Sequence, residues 1–306
     1  MKFGSLFTGV GGLDLGLEAA QWECKWQVEL NKWCYETLKH NWPTVPKWRD
    51  VRDVNGANLE PVDVIAFGSP CQDLSRAGRI DGLQGSKSSL FFEAIRIIKE
   101  MQHATKGKFP RWAIWENVPG AFSSNGGADF GTVLDCMAEM GALGIEWACL
   151  DAQYFGVPQH RERLFVVSCF DPSVHPRNGR QVLNVQHVGR RYIAKNRNID
   201  ETPAGSTPIC FGGTVTTVWK ERTVSNTICA TERKNPGNVI VQNNKIRRLS
   251  PIECERLMGW PDDHTLYRSN GKPNSNSARY EMCGNGVASP VAQWVATQIS
   301  LAEYGL

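Results

Sequence analysis

Four short stretches of this 306-residue chain carry side chains whose types and spacing could do chemistry. Cys71 stands in Gly68-Ser69-Pro70-Cys71-Gln72, directly after an apolar run at 62–67. The flanking Gly and Pro expose it in a loop, where an electropositive setting can lower a thiol's pKa and supply a nucleophilic thiolate. The nine other cysteines read as small buried hydrophobes. Glu116, in Trp115-Glu116-Asn117-Val118-Pro119, is flanked by apolar side chains. Partial desolvation there would raise its pKa, so that it can share a proton with a ring nitrogen. In Gln159-His160-Arg161-Glu162-Arg163, the first, third and fifth residues of an extended chain project on one face. An amide and two guanidinium groups then converge where an anion or carboxylate can meet them. Last, Phe7-Thr8-Gly9-Val10-Gly11-Gly12 allows a tight turn and a close backbone approach to a ligand, and Glu29, twenty residues after Gly9, can accept hydrogen bonds from ribose hydroxyls. Spacing alone leaves a dinucleotide and an adenosyl group equally open.

These groups need elements to position them. Residues 2–7 read as a buried strand running through the glycine loop into a helix marked by Leu13, Leu17 and Ala20. Cys24, Trp26 and Val28 alternate with polar residues up to Glu29, and 62–67, 111–115 and 163–169 read as further strands. Leu90, Phe91, Ala94, Ile95 and Ile98 share one helical face, and Leu134, Met137, Ala138 and Leu143 suggest another helix. Strands alternating with helices predict a doubly wound, mostly parallel α/β sheet. The pattern stops near Asp171-Pro172, and short β-favouring pieces at 214–219 and 238–241 predict a second, small, irregular β-rich domain. Ser250-Pro251-Ile252-Glu253 is a capping box with Pro at the first helical position, and Ser289-Pro290 opens a last helix with Val291, Val295 and Ile299 every fourth residue.

Composition bounds the function. With 41% hydrophobic and 21% charged residues the chain can bury a sizeable core, and its apolar runs fall far short of the ~20 residues that span a bilayer. The N-terminus meets glycines and Asp14 before an export signal can build, which predicts a cytoplasmic protein. Ten cysteines without a C-x-x-C pair, and histidines without metal-ligand spacing, predict reduced thiols and no structural metal. The net charge of +3 is uneven: residues 171–250 hold 13 Lys and Arg against 5 Asp and Glu, a net of +8 that leaves −5 on the remainder. A basic module on an acidic body is the footprint of a polyphosphate partner.

Six segments, the four above with Arg248-Leu249-Ser250-Pro251-Ile252-Glu253 and Gly284-Asn285-Gly286-Val287, closely resemble the DNA (cytosine-5) methyltransferase family in their order. They are spread over most of the chain apart from residues 172–245. The resemblance implies a Rossmann-like methyltransferase fold, S-adenosylmethionine as donor (S-adenosylhomocysteine as product), double-stranded DNA as partner, and a monomer. In that frame Cys71 adds to carbon 6 of a flipped-out cytosine, Glu116 binds ring nitrogen 3 and the exocyclic amine, and Arg161 and Arg163 hold the base. Phe7, Gly9 and Gly11 would line the donor pocket, Glu29 hold the ribose, Leu30 lie against the adenine, and Asp50 lie near its amino group. Pro70, Leu90, Asn285 and Val287 would complete it, although Gly286 stands where the family usually has Ser or Ala. Residues 1–171 with 247–306 would form the catalytic and cofactor-binding domain, and 172–246 the target-recognition domain. Gln72, Ser75, Arg76, Arg79 and Lys87 fall in a loop that would close over DNA, Gln159 would lie beside it, and Arg190, Arg191, Arg197 and Thr227 would contact it from the recognition domain. An RNA-directed cytosine-5 methyltransferase and a catalytically silent DNA-binding relative share this scaffold, but the Cys-Phe-Thr segment usual in tRNA-directed relatives is absent.

Overall fold

The structure, a computed structural model, describes residues 1–69, 90–174, 181–185, 209–212, 220–222, 224–230, 238–242 and 245–305. Its main sheet contains β1 (Lys2–Leu6), β2 (Glu23–Val28), β3 (Lys47–Trp48), β4 (Val64–Phe67), β5 (Trp112–Asn117), β6 (Gly144–Asp151) and β7 (Glu162–Cys169). The spatial order is β3-β2-β1-β4-β5-β7-β6. The first five strands are parallel, and β7 runs antiparallel to both of its neighbours. The chain leaves β1 toward β2 on one side and returns to β4 on the other. The carboxyl edge of β1 is therefore a topological switch point, where such sheets open a crevice for ligands.

Alternation within the strands divides the core between two faces. Val64 and Ala66 of β4 join Phe3, Ile114 and Phe165 on one face, while Ile65 and Phe67 join Leu6, Trp115 and Val166 on the other. The helices are α1 (Gly12–Ala19), α2 (Lys32–Asn41), α3 (Leu90–Ala104), α4 (Ala128–Glu139), α5 (Pro251–Leu257), α6 (Asn276–Asn285) and α7 (Ser289–Tyr304). Phe91, Ala94, Ile98 and Met137 of α3 and α4 cover the second face, and Leu17 of α1 with Val291, Val295 and Ile299 of α7 covers the first. α1 and α7 touch at backbone distance, because a Cβ at Gly16 would lie 2.4 Å from the Ser289 carbonyl oxygen. This contact returns the C-terminal segment to the N-terminal strands. Each fully buried large apolar side chain stabilises that arrangement by roughly 1.5–3 kcal/mol.

A second sheet holds β8 (Ile209–Gly212), β9 (Lys220–Arg222), β10 (Asn238–Gln242) and β11 (Lys245–Arg248), in the antiparallel order β11-β10-β8-β9. β10 matches the expected piece at 238–241, whereas 214–219 lies outside the described residues. Among the described residues no helix is long and apolar enough to cross a membrane.

Three elements escape the sequence pattern. The helix expected to include Leu143 ends at Glu139, where Gly141 at φ +86° breaks it, and β6 follows as an edge strand. The apolar residues of β6 fall on both faces, and Trp147 stays 47% exposed, so no clean alternation announces it. α2 and α6 carry weak apolar stripes and instead depend on caps: the Asn31 side chain accepts from the N–H groups of Trp33 and Cys34, and that of Ser275 from the N–H of Ala278. α6 buries Arg279, whose Nη2 lies 2.9 Å from Oε1 of Glu255 on α5. Glu255 has no exposed surface and also accepts from the N–H groups of Asp263 and Thr265. Glu255→Ala would leave a buried guanidinium short of its counter-charge, so a loss of about 3–5 kcal/mol is expected. Urea unfolding of the variant beside the parent protein reads that loss directly.

Candidate active site

The glycine loop leaves β1 with Phe7, Gly9 and Gly11 all at positive φ (55°, 59° and 82°). Phe7 is the one non-glycine among them, held where side chains seldom sit. Thr8 fixes the loop to the next strand, its N–H donating to the Val28 carbonyl at 3.1 Å and its hydroxyl contacting Ser5 Oγ at 2.8 Å. At the end of β2 the Glu29 carboxylate accepts from the Gly9 and Asn31 N–H groups, both at 2.6 Å. Burial pushes its pKa up, against the lowering effect of those donors. A carboxylate has about four acceptor sites, so two remain for further donors such as sugar hydroxyls.

One cleft runs from this loop to the centre of the sheet, lined by Phe7, Gly9, Gly68, Glu116, Asn285 and Val287 among others. The C-terminal pair expected in the donor pocket thus faces the N-terminal loop. Gly11 packs on Trp42, where a Cβ would come within 2.4 Å of the ring. Leu30 projects 53% exposed beyond Glu29. Asp50 caps the turn Val51–Asp53 and accepts from the Arg52 side chain, which holds its pKa below the usual range. Leu90 opens α3 and packs against the core.

At the carboxyl end of β5 the Glu116 side chain is buried. Burial raises its pKa, opposed first by Arg163 and then by Arg161. Arg163 Nε lies 3.2 Å from Glu116 Oε1. This contact follows from strand direction, since β7 starts where β5 ends and Glu116 pairs with Phe165. Gly68, at the end of β4, passes so close that a Cβ there would lie 3.0 Å from Glu116 Oε2. Ser69 follows, its hydroxyl accepting from Trp115 Nε1 at 3.0 Å and its carbonyl from Asn117 Nδ2 at 3.1 Å. Pro70, Cys71, Gln72, Ser75, Arg76, Arg79 and Lys87, like Arg190, Arg191 and Arg197, lie outside the described residues.

Gln159 and Arg161 share a face, as their spacing predicts, but that face is interior. Gln159 has no exposed surface; its amide nitrogen donates to the Leu257 carbonyl at 2.8 Å, and its amide oxygen accepts from the Ile228 N–H at 3.1 Å. The sequence expectation of a DNA-facing Gln159 ignored these partners, which lie 69 and 98 residues away. The Arg161 guanidinium, 1% exposed, donates to the carbonyls of Ile228, Gly284 and Gly286. Burial, then the neighbouring Arg163, lowers its pKa to about 9. The Thr227 hydroxyl donates to the His160 carbonyl at 2.5 Å.

An aromatic group beneath the loop was not foreseen. Trp260 Nε1 donates to the Val287 carbonyl at 3.0 Å. The His264 ring lies 5.4 Å from that of Trp260 and 5.8 Å from that of Trp42. His264 Nε2 meets the Val10 carbonyl at 2.7 Å and must donate to it, so Nδ1 accepts from Asn41 Nδ2 at 3.2 Å. Burial lowers the His264 pKa, in keeping with a neutral ring. Trp260 also explains Gly286, because a Cβ there would lie 2.4 Å from the indole. Only the aromatic types themselves hinted at this group, since 218 residues separate Trp42 from Trp260.

A doubly wound α/β domain with a cleft at its switch point, opening on a buried acid beside an arginine, is the arrangement of the Rossmann-like methyltransferase class. The chain matches the model of the C-5 cytosine-specific DNA methylase family over residues 1–173 and 172–301, and it belongs to that family. It is 28% identical to the Type II methyltransferase M.HhaI of Haemophilus parahaemolyticus, over 98% of this chain and 94% of the relative. Against the Type II methyltransferase M.MspI of Moraxella sp the identity is 27%, covering 98% and 71%. The fold also matches the Dnmt2 methyltransferase of S. pombe with a TM-score of 0.67 at 13% identity, over 100% and 99% of the two chains. DNMT2 of Spodoptera frugiperda matches at 0.66 and 15%, covering 98% and 99%.

Two outcomes follow from the donor side. Gly286→Ser drives a side chain into Trp260, and overpacking of about 1–3 kcal/mol should weaken S-adenosylhomocysteine binding about tenfold. Calorimetry should show partial recovery when Trp260→Phe is added. Asp14, with no exposed surface on α1, has its pKa raised from 3.8 to about 7, mainly by burial. The neutral form therefore favours folding fully below about pH 4, and this contribution is lost as pH rises through about 7. Asp14→Asn should gain stability relative to the parent across that window, and unfolding midpoints that stay parallel from pH 4 to 8 would refute the assignment.

Proposed function

We propose that the protein transfers a methyl group from S-adenosylmethionine to carbon 5 of a cytosine in a short specific sequence of double-stranded DNA. The observation that carries this reading is that one cleft is lined both by the donor-loop residues Phe7 and Gly9 and by Glu116 and Gly68. Donor and base would therefore meet without a solvent gap. When bound, S-adenosylmethionine supplies the electrophilic methyl group. Glu29 would take the ribose through its remaining acceptor sites, with Leu30 as the exposed apolar surface for the adenine. The backbone around Asn285 and Val287 would close the pocket from the opposite side.

Carbon 5 of cytosine is a weak nucleophile. The Cys71 thiolate would add to carbon 6, making the ring an enamine that can attack the methyl group. Gly68 passes close to the Glu116 carboxyl, and Ser69, pinned by Trp115 and Asn117, precedes Pro70-Cys71-Gln72 in the chain. Glu116, with its pKa raised by burial, would donate a proton to ring nitrogen 3 as negative charge develops there. Arg163 would orient Glu116 and hold the base from the side, a preorganised donor of a kind worth ~3 kcal/mol in the transition state. Methyl transfer would leave S-adenosylhomocysteine; the carbon 5 proton would then pass to solvent water as the Cys71 thiolate is expelled, and the proton on ring nitrogen 3 would return to Glu116, releasing the methylated base. The target must leave the helix stack first, at a cost of a few kcal/mol. Residues 172–246, with Arg190, Arg191, Arg197 and Thr227, would supply phosphate and base contacts, while Gln72, Ser75, Arg76, Arg79 and Lys87 would close over the duplex. The enzyme would act as a monomer in the cytoplasm of a bacterial or phage-infected cell.

The purified protein is expected to move labelled methyl groups from S-adenosylmethionine to cytosine in duplex DNA, and Cys71→Ser to abolish turnover. Undiminished transfer by Cys71→Ser would sink the thiolate mechanism, and label found in RNA alone would assign the substrate to the other polymer.

A further inference from the structure

We propose that Arg161 is a positioning residue that couples DNA docking on the recognition domain to donor binding, by tying the backbone at Ile228 to that on both sides of Asn285. This inference rests on the function proposed above. The guanidinium bridges two segments far apart in sequence: Nη1 donates to the Ile228 carbonyl at 3.1 Å, and Nη2 to those of Gly284 at 2.9 Å and Gly286 at 2.6 Å. Asn285, between the last two acceptors, lines the cleft. Ile228 is gripped from both ends of its peptide, because the Gln159 amide oxygen accepts from its N–H while Arg161 donates to its carbonyl. It is fully buried.

The contact is direct. A Cβ at Gly284 would lie 2.1 Å from the Ala230 nitrogen, so the backbone near Ile228 rests on the donor-pocket wall with no side chain between. On its other side the segment is joined to β10 of the second sheet, where Asn226 N–H donates to the Asn238 side-chain oxygen at 2.8 Å and Asn238 Nδ2 donates to the Asn226 carbonyl at 3.2 Å. A hydrogen-bonded path thus runs from the second sheet through Asn226, Ile228 and Arg161 to Gly284 and Gly286. Among the described residues no carboxylate lies within ion-pair distance of Arg161, so its charge is stabilised in the interior by these carbonyls together with the field of Glu116. A planar fork with fixed donors holds all three only when the two segments keep one separation. A small shift of the recognition segment on DNA therefore changes the energy of the donor wall, and by linkage the donor changes the affinity for DNA by the same factor.

The test measures S-adenosylhomocysteine affinity by calorimetry with and without saturating fragmented plasmid DNA, for the parent protein and Arg161→Lys. Lys keeps the charge and loses the fork. The duplex should tighten binding about tenfold in the parent and no more than about twofold in the variant. A purely structural role would weaken both measurements alike and leave their ratio intact; an intact ratio overturns the proposal. Hydrogen exchange on the parent chain needs no substitution: duplex without donor should protect the amides of 284–287, and S-adenosylhomocysteine without duplex those of 225–230. Unchanged protection in both directions overturns the coupling. Failure of the parent to bind any duplex overturns the proposed function instead, whereas duplex binding with unaltered S-adenosylhomocysteine affinity overturns the coupling alone.

Discussion

The reversal of β7 is the constraint on which the site depends. Did it run in the direction of the six strands before it, its first residues would lie at the opposite edge of the sheet from the cleft. Running antiparallel beside β5, it starts at the carboxyl edge, where Asn117 pairs with Leu164. Arg163 and Arg161 therefore arrive beside the end of β5, and the same edge carries the end of β4 and the glycine loop after β1. Four chain segments distant in sequence converge through backbone ladders, whose register leaves little freedom to slip because both faces are buried.

Around that edge the molecule keeps charged groups in its interior, some met by an opposite charge and some by backbone carbonyls. Glu116 is raised by burial and opposed by Arg163 and Arg161. Arg161 in turn is met by carbonyl dipoles rather than by a carboxylate. Glu255 and Arg279 form a second buried pair, which joins α5 to α6, the helix that ends at Asn285. Buried charges of this kind do little for net stability compared with apolar packing, yet they are costly to disturb. They resist small displacements of the segments they join, as a pocket that must align a methyl donor with a flipped base requires.

The glycine loop is held differently, by shape. Trp42, His264 and Trp260 form a floor under Gly11, Gly12 and Gly286, with ring nitrogens of His264 and Trp260 tied to the carbonyls of Val10 and Val287. Gly286, which departs from the family's usual Ser or Ala, is the complement of a large indole. The small residue and the large one share a single volume in that wall.

Much of this was legible in the sequence, for physical reasons. Short continuous apolar runs mark β1, β4, β5 and β7, because those strands are buried on both faces, and period-3.6 patterns mark α3 and α7, which bury one face each. The glycine loop and the Glu-Asn segment could be located because glycines following a strand and an acid at a strand end fall at the carboxyl edge of a parallel sheet, where such folds open their clefts. Side-chain destinations set by partners far along the chain were not legible. Gln159 and Arg161 show the difference: residue types and spacing placed them together on one face, but only tertiary packing turned that face toward Ile228, Leu257 and Gly284 instead of solvent. Local sequence determines what a side chain can bond. Which backbone carbonyls come within 3 Å of it depends on how separate segments pack, and that is a property of the whole fold.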